Sequence, residues 1–92
     1  MLFFDDKVAK KDLMRIPGVG KKTAEDLISL GYTSVESLAG EDPQDMYVKL
    51  CIMQGGSCDR CNLYVYRLAV YFAKNEGNIT DSSLLLWWNW KD

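Results

Sequence analysis

Apolar side chains recur along the chain at intervals of three and four, and glycine or proline repeatedly interrupts them. That is the pattern of short amphipathic helices joined by tight turns. Val8, Leu13 and Ile16 lie near one stripe before Pro17-Gly18, with Asp5 or Asp6 placed to cap the helix start. Ala24, Leu27 and Ile28 define a second helix over about residues 21–30, and Gly31 stands where a left-handed residue ends a helix. Thr33-Ser-Val-Glu36 reads as a capping box opening a short third helix over about 34–39, which Gly40 stops. Asp42-Pro43 supplies a cap and a first-turn proline for a fourth, carrying Met46, Tyr47, Leu50 and Met53. The fifth opens at Ser57, runs to about Asn75 and ends at Gly77. It is apolar over a wide arc from Cys61 to Phe72, as expected of the most buried helix. No stretch alternates with the two-residue period of a strand. The expected fold is all-α: a compact five-helix domain over 1–80, with an aromatic tail over 81–92. Leu84-Leu-Leu-Trp-Trp-Asn-Trp90 is too apolar to hang in water, so the tail is expected to pack on the domain.

Composition narrows this picture. The chain has 92 residues, of which 48% are apolar, enough for one core. No apolar run approaches the roughly 20 residues a bilayer requires. Met1-Leu-Phe-Phe-Asp-Asp6 lacks the basic start of a signal peptide, so a cytoplasmic chain with free thiols at its three cysteines is expected. Net charge is −2, but the charges are segregated. Residues 7–22 carry six bases (Lys7, Lys10, Lys11, Arg15, Lys21, Lys22) and a single acid, Asp12; residues 23–45 carry six acids and no base. An otherwise acidic chain thus gathers positive charge around Pro17-Gly18-Val19-Gly20.

That turn has its own chemistry. Gly18 and Gly20 permit backbone angles that a Cβ forbids and leave amides uncovered. Val19 can point back to pin the turn, and small Ala24 lets the two helices approach. Lys21 and Lys22 begin a helix whose first N–H groups lack partners and whose dipole is positive. Amides and lysines together make an anion site suited to a phosphate diester, and Gly18, Val19, Gly20, Lys21, Lys22 and Arg15 are the candidate phosphate contacts. A tight helical hairpin with no ligand would use many of the same residues.

Displacing the sequence by 37 residues gives a weak self-match. Leu13 falls on Leu50, Ile16 on Met53, Gly18 on Gly55, Ala24 on Cys61 and Ile28 on Val65. Met53-Gln-Gly-Gly-Ser57 therefore reads as a second, eroded hairpin, with Gly55, Gly56, Ser57 and Arg60 as its candidate contacts. Cys58-Asp59 stand there in place of paired lysines, so the first hairpin should dominate. The boundaries are about 7–30 for the first hairpin, 34–39 for a connector and 43–75 for the second.

Cys58-x-x-Cys61 invites a metal or redox role. With Cys51 it gives three thiols and no histidine, short of a four-ligand zinc set, and a thioredoxin-like βαβ context is lacking. Structural thiols, with Cys61 as a small packing residue, are the simpler expectation. No carboxylate pair or nucleophile–base set suggests catalysis, so no enzyme is expected. Nothing suggests a small-molecule substrate or a membrane partner.

Leu13-Met-Arg-Ile-Pro-Gly-Val-Gly-Lys-Lys-Thr-Ala24 resembles a helix-hairpin-helix motif. Two copies with a connector resemble a double helix-hairpin-helix domain, a sterile-alpha-motif-like scaffold that grips both strands across a DNA minor groove. Ile16-Pro-Gly-Val-Gly20, Leu30-Gly-Tyr-Thr-Ser-Val-Glu36, Asp59-Arg-Cys61, Tyr64-Val-Tyr-Arg67 and Trp87-Trp-Asn-Trp-Lys91 extend the likeness to the bacterial pathogenicity-locus family, also labelled mitomycin-resistance proteins. The resemblance implies a standalone helical domain in a bacterial cytoplasm, and no established activity. The superfamily implies hairpin amides on phosphate. It also implies carbonyls of Met14, Ile16 and Val19 on a monovalent cation, Na+ or K+, and no other cofactor. The function expected is a non-catalytic, largely sequence-independent grip on double-stranded DNA, weak by itself. The alternative is a protein-interaction module or homodimer using the acidic face or the tail residues Trp87, Trp88 and Trp90.

Overall fold

The computed structural model describes residues 4–76 and 78–91. Among these it is all-helical, with four α-helices: α1 (Phe4–Leu13), α2 (Lys21–Ser29), α3 (Pro43–Met53) and α4 (Cys61–Lys74). Three short 3-10 turns complete it, at Glu36–Leu38, Ser82–Leu85 and Trp87–Trp90. The count of five helices is thus corrected to four.

Local chemistry explains most of the boundaries. α2 ends in a Schellman motif: Gly31 has φ +100°, its N–H donates to the Ile28 carbonyl (3.0 Å), and the Tyr32 N–H donates to that of Leu27 (2.9 Å). α3 starts as its sequence dictates, with the Asp42 carboxylate accepting the Gln44 N–H at 2.9 Å and Pro43 in the first turn. The expected third helix is a single 3-10 turn. Leu38 and Ala39 bond back three residues, and Gly40, at φ +84°, leaves no room for a longer register. Ser34, not Thr33, holds that turn, its hydroxyl oxygen accepting the Ser37 N–H at 3.1 Å.

Two other starts differ from expectation. α1 already begins at Phe4, so Asp5 and Asp6 fall within the helix instead of capping it. α4 begins at Cys61 and not at Ser57, because the capping carboxylate comes from Asp59, which accepts the Cys61 N–H at 2.9 Å. α4 ends at Lys74 with Asn75 closing it, and Gly77 lies outside the described residues.

α4 is the central helix: Leu63, Tyr66, Leu68 and Ala69 are fully buried. It packs against α3, the Glu36–Leu38 turn and the tail, while α1 packs on α2. Leu13, Ile16, Val19, Ala24, Leu27, Val35, Leu38, Met46 and Leu50 complete the core. Val8 does not join it and is 54% exposed; Ala9, one turn before Leu13, faces inward instead. Polar ties fasten the layers. Lys10 bridges to Glu25 at 3.0 Å, joining α1 to α2. Asp12 accepts the Val35 N–H at 2.8 Å, joining α1 to the connector. The Tyr32 hydroxyl donates to Glu41 at 2.9 Å, and burial together with that carboxylate pushes its pKa up to about 12.

The tail lies along α4. Trp90 meets the Tyr71 ring at 5.3 Å, its indole N–H donates to the Leu84 carbonyl at 2.9 Å, and its own carbonyl accepts from Arg67 at 2.7 Å. Trp87 packs on the core, whereas Trp88 is half exposed. No helix among the described residues is long and apolar enough to cross a membrane.

Candidate functional site

The first hairpin is built from residues that leave its outer edge bare. α1 unwinds through bonds from Arg15 to Asp12 and from Ile16 to Leu13, both 3.1 Å. Ile16-Pro-Gly-Val19 then reverses the chain: the Val19 N–H returns to the Ile16 carbonyl at 3.1 Å, across Pro17 and a Gly18 with φ +87°. Proline followed by a positive-φ glycine is the signature of a type II turn. Val19 is buried and anchors the turn from below. Gly20, extended at φ −94° and ψ −170°, takes the cap position of α2, and its carbonyl accepts the Ala24 N–H at 2.9 Å. Glycine supplies no side chain there. A Cβ on Gly20 would meet nothing within 4 Å. Among the described residues no acceptor engages the N–H groups of Gly20, Lys21 or Lys22, which helix geometry leaves unpaired. Lys21 and Lys22 flank these amides and are exposed.

The charge around this edge is partly committed. Lys22 pairs with the buried Asp26 at 3.4 Å while 79% of its own side chain stays exposed. Lys10 is held by Glu25, whose carboxyl lies below its usual range chiefly through that hydrogen bond, with Lys21 and Lys22 adding to the effect. Arg15 is turned to the Asp12 carboxylate at 2.9 Å and to Glu76. The structure therefore brings Gly18, Gly20, Lys21 and Lys22 to one edge, buries Val19 beneath it with its N–H spent on Ile16, and engages Arg15 with two acids beside it. Of the candidate cation carbonyls, that of Ile16 already accepts the Val19 N–H and keeps its second lone pair. Met14 is exposed at the end of α1.

The loop between α3 and α4 is differently made. Gly55 (φ +91°) and Gly56 (φ +110°) close the end of α3, the Gly56 N–H reaching the Cys51 carbonyl at 2.7 Å. This reversal sets Cys58 opposite Cys51, and the two form a disulfide with their Cα atoms 5.1 Å apart. The expectation of three free thiols is corrected: only Cys61 is free. Nor does Cys58 pair with Cys61, since its sulfur is bonded to Cys51; the Cys61 thiol hydrogen-bonds Asp59, which raises its pKa. Ser57 is exposed in the loop, and Arg60 immediately precedes α4. Among the described residues no group of three or more His, Cys, Asp or Glu side chains converges as a metal site.

Sequence reasoning missed two residues of consequence. Asp59 could have been found as a cap residue two positions before a helix start. The contact of Trp87 with Gly18 joins positions far apart in sequence and carries no local signal.

A family model described as Pathogenicity locus matches residues 6–92. The chain belongs to that family. Over 42 residues this pathogenicity-locus protein is also 43% identical to the DNA repair and recombination protein RadA of Aeropyrum pernix. That stretch is 46% of this chain and spans only 13% of the relative's length. No solved structure matches the chain.

Proposed function

We propose that this pathogenicity-locus protein is a non-catalytic, largely sequence-independent DNA-binding module of the cytoplasm. The observation that carries the proposal is the start of α2: bare amides of Gly20, Lys21 and Lys22 beside two exposed lysines, capped by no side chain. Such an edge grips phosphate and reads no base. The likeness to a relative named for DNA repair and recombination supports this reading. A monovalent cation on the Met14, Ile16 and Val19 carbonyls would add to the hold. In the double helix-hairpin-helix reading, α1–α2 is the gripping arm and α3–α4 a degenerate partner.

Fluorescence anisotropy on duplex DNA at several salt concentrations tests the proposal. If three or four phosphates are neutralised, log K falls against log salt with a slope of about −3. A flat salt response, or no binding at low salt, sinks it.

A second reading, a protein-interaction module, draws on one observation. Val48, Ile52 and Met53 are 45%, 71% and 49% exposed on α3, an apolar face for a surface helix. Concentration-dependent light scattering, with Ile52→Glu as control, separates the two.

A further inference from the structure

The tail and the first hairpin meet in space. A Cβ on Gly18 would stand 3.4 Å from Trp87 Cδ1 and 3.7 Å from Leu68 Cδ2. Leu68 is fully buried, so this side of Gly18 faces inward. Trp87 therefore supports the turn from within and leaves its outer edge uncovered. Trp87 also organises its neighbours. Lys91 Nζ lies over its ring, 5.9 Å from the centroid, and Trp88 meets it edge-on at 5.8 Å. Lys91 is exposed and Trp88 is 50% exposed. The bonds of Trp90 to Leu84 and Arg67 fix the segment that carries them. A cation and a solvent-facing ring are thus held beside the turn that leads into the bare amides of α2. In the sequence the tail is poor in charge; the fold brings it against the turn at Gly18, three residues before Lys21.

We propose that the tail is the second half of the nucleic-acid surface, with Lys91 taking a further phosphate and Trp88 stacking on an unpaired base. The preferred ligand is then DNA in which single-stranded bases adjoin a duplex. This rests on the DNA-binding reading and narrows it. Amides and lysines hold the backbone of either form, but inside a duplex each base face is covered by its neighbours. An overhang adds unpaired bases that can accept the ring, and stacking on an aromatic is sequence-tolerant. Because the tail is already folded, little freedom is lost when the ring is used.

The test compares a blunt duplex with the same duplex carrying a short single-stranded overhang, by anisotropy on the full chain. The wild type should favour the overhang by about tenfold, the scale expected of one stacked base. Trp88→Ala should abolish that preference. Trp88→Phe keeps a ring and should keep most of the preference, which separates stacking from damage to the tail. Lys91→Gln should make the salt slope shallower by about one on both DNAs. Equal binding of the two DNAs by the wild type, or a preference that survives Trp88→Ala, overturns the inference and leaves the DNA-binding reading standing. Binding of neither DNA overturns both.

Discussion

The two helical hairpins use connections of equal length, residues 14–20 and 54–60, and treat the following helix in opposite ways. Before α2 stands Gly20, which offers no side chain, and the first amides face outward. Before α4 stands Asp59, whose carboxylate accepts the Cys61 N–H at 2.9 Å. A helix N-terminus attracts an anion whatever its sequence. What separates a binding site from a structural joint is whether the chain supplies that anion itself. The second hairpin does so, and it is further closed by the Cys51–Cys58 bond and by the Tyr47 hydroxyl donating to the Cys58 carbonyl at 3.0 Å. The first supplies no side-chain cap and leaves that position open.

The sharpest way to break this contrast is to reverse the charge of the open edge. Lys21→Glu with Lys22→Glu should weaken duplex binding by at least about a hundredfold at low salt and flatten the salt slope, since two phosphate contacts become repulsions. Both lysines are exposed, but Asp26 is buried and pairs with Lys22, so the circular dichroism spectrum should be kept while the melting temperature falls modestly. Undiminished binding by this variant would remove the first hairpin from the interface.

The next largest effect belongs to the closed hairpin. Cys51→Ser opens a short covalent loop, and chain entropy puts the loss at about 2 kcal/mol by chemical denaturation in oxidising buffer. With a dithiol reductant present, wild type and variant should coincide. DNA affinity should not change in either buffer, because the disulfide braces the hairpin that has no open anion site. A fall in affinity on reduction would show that the second hairpin takes part in binding.

How much of this was legible in the sequence depends on the range of the interaction. Gly31, Asp42-Pro43, Val19 and the core stripe of Leu13, Ile16, Ala24 and Leu27 act on near neighbours or through helical period, and the structure places them where the pattern does. The second hairpin was harder to read. Gly18 and Gly55 align at an offset of 37 residues, but the helices that follow start 40 residues apart, at Lys21 and Cys61. The matching glycines do different work: Gly18 makes the turn itself, whereas Gly55 and Gly56 terminate α3. Ile16 is accordingly buried while its counterpart Met53 is 49% exposed. The pairing of Arg15 with Glu76 and the seat of Trp87 under Gly18 depend on which distant segments the fold brings together, and no local pattern encodes that.

Within the first hairpin the two glycines should separate by experiment. Gly18→Ala forces a side chain to φ +87° and should cost about 1–2 kcal/mol in unfolding free energy. Gly55→Ala, at φ +91°, should cost a similar amount. Gly20→Ala meets no neighbour and needs no unusual angle, so its stability should stay within about 0.5 kcal/mol of wild type. Its methyl group nevertheless intrudes on the open edge, and DNA binding should weaken severalfold. A Gly20→Ala variant that binds normally would argue that phosphate approaches from another side.

The smallest effect tests the occupied site directly, through pH. The Cys61 backbone N–H, with the thiol adding, holds the Asp59 carboxyl below its usual range. A depressed folded-state value means that its stabilisation is fully present above the unfolded carboxylate value, about 3.9, and fades as pH falls through the folded one. Wild type should therefore lose stability below about pH 4 more steeply than Asp59→Asn, whose amide oxygen can still accept the N–H but does not titrate. Asp81, held low by Ser83 in the tail, titrates in the same direction, so the measurement is the difference between wild type and variant at pH 3 and pH 6. Identical pH profiles would mean that Asp59 does not act as the anion of α4. The first hairpin has no such occupant, and its response should come from added phosphate. Millimolar phosphate at neutral pH should raise the melting temperature slightly in wild type and Asp59→Asn alike, and not in Lys21→Glu/Lys22→Glu, because ligand that binds only the folded state stabilises it by mass action.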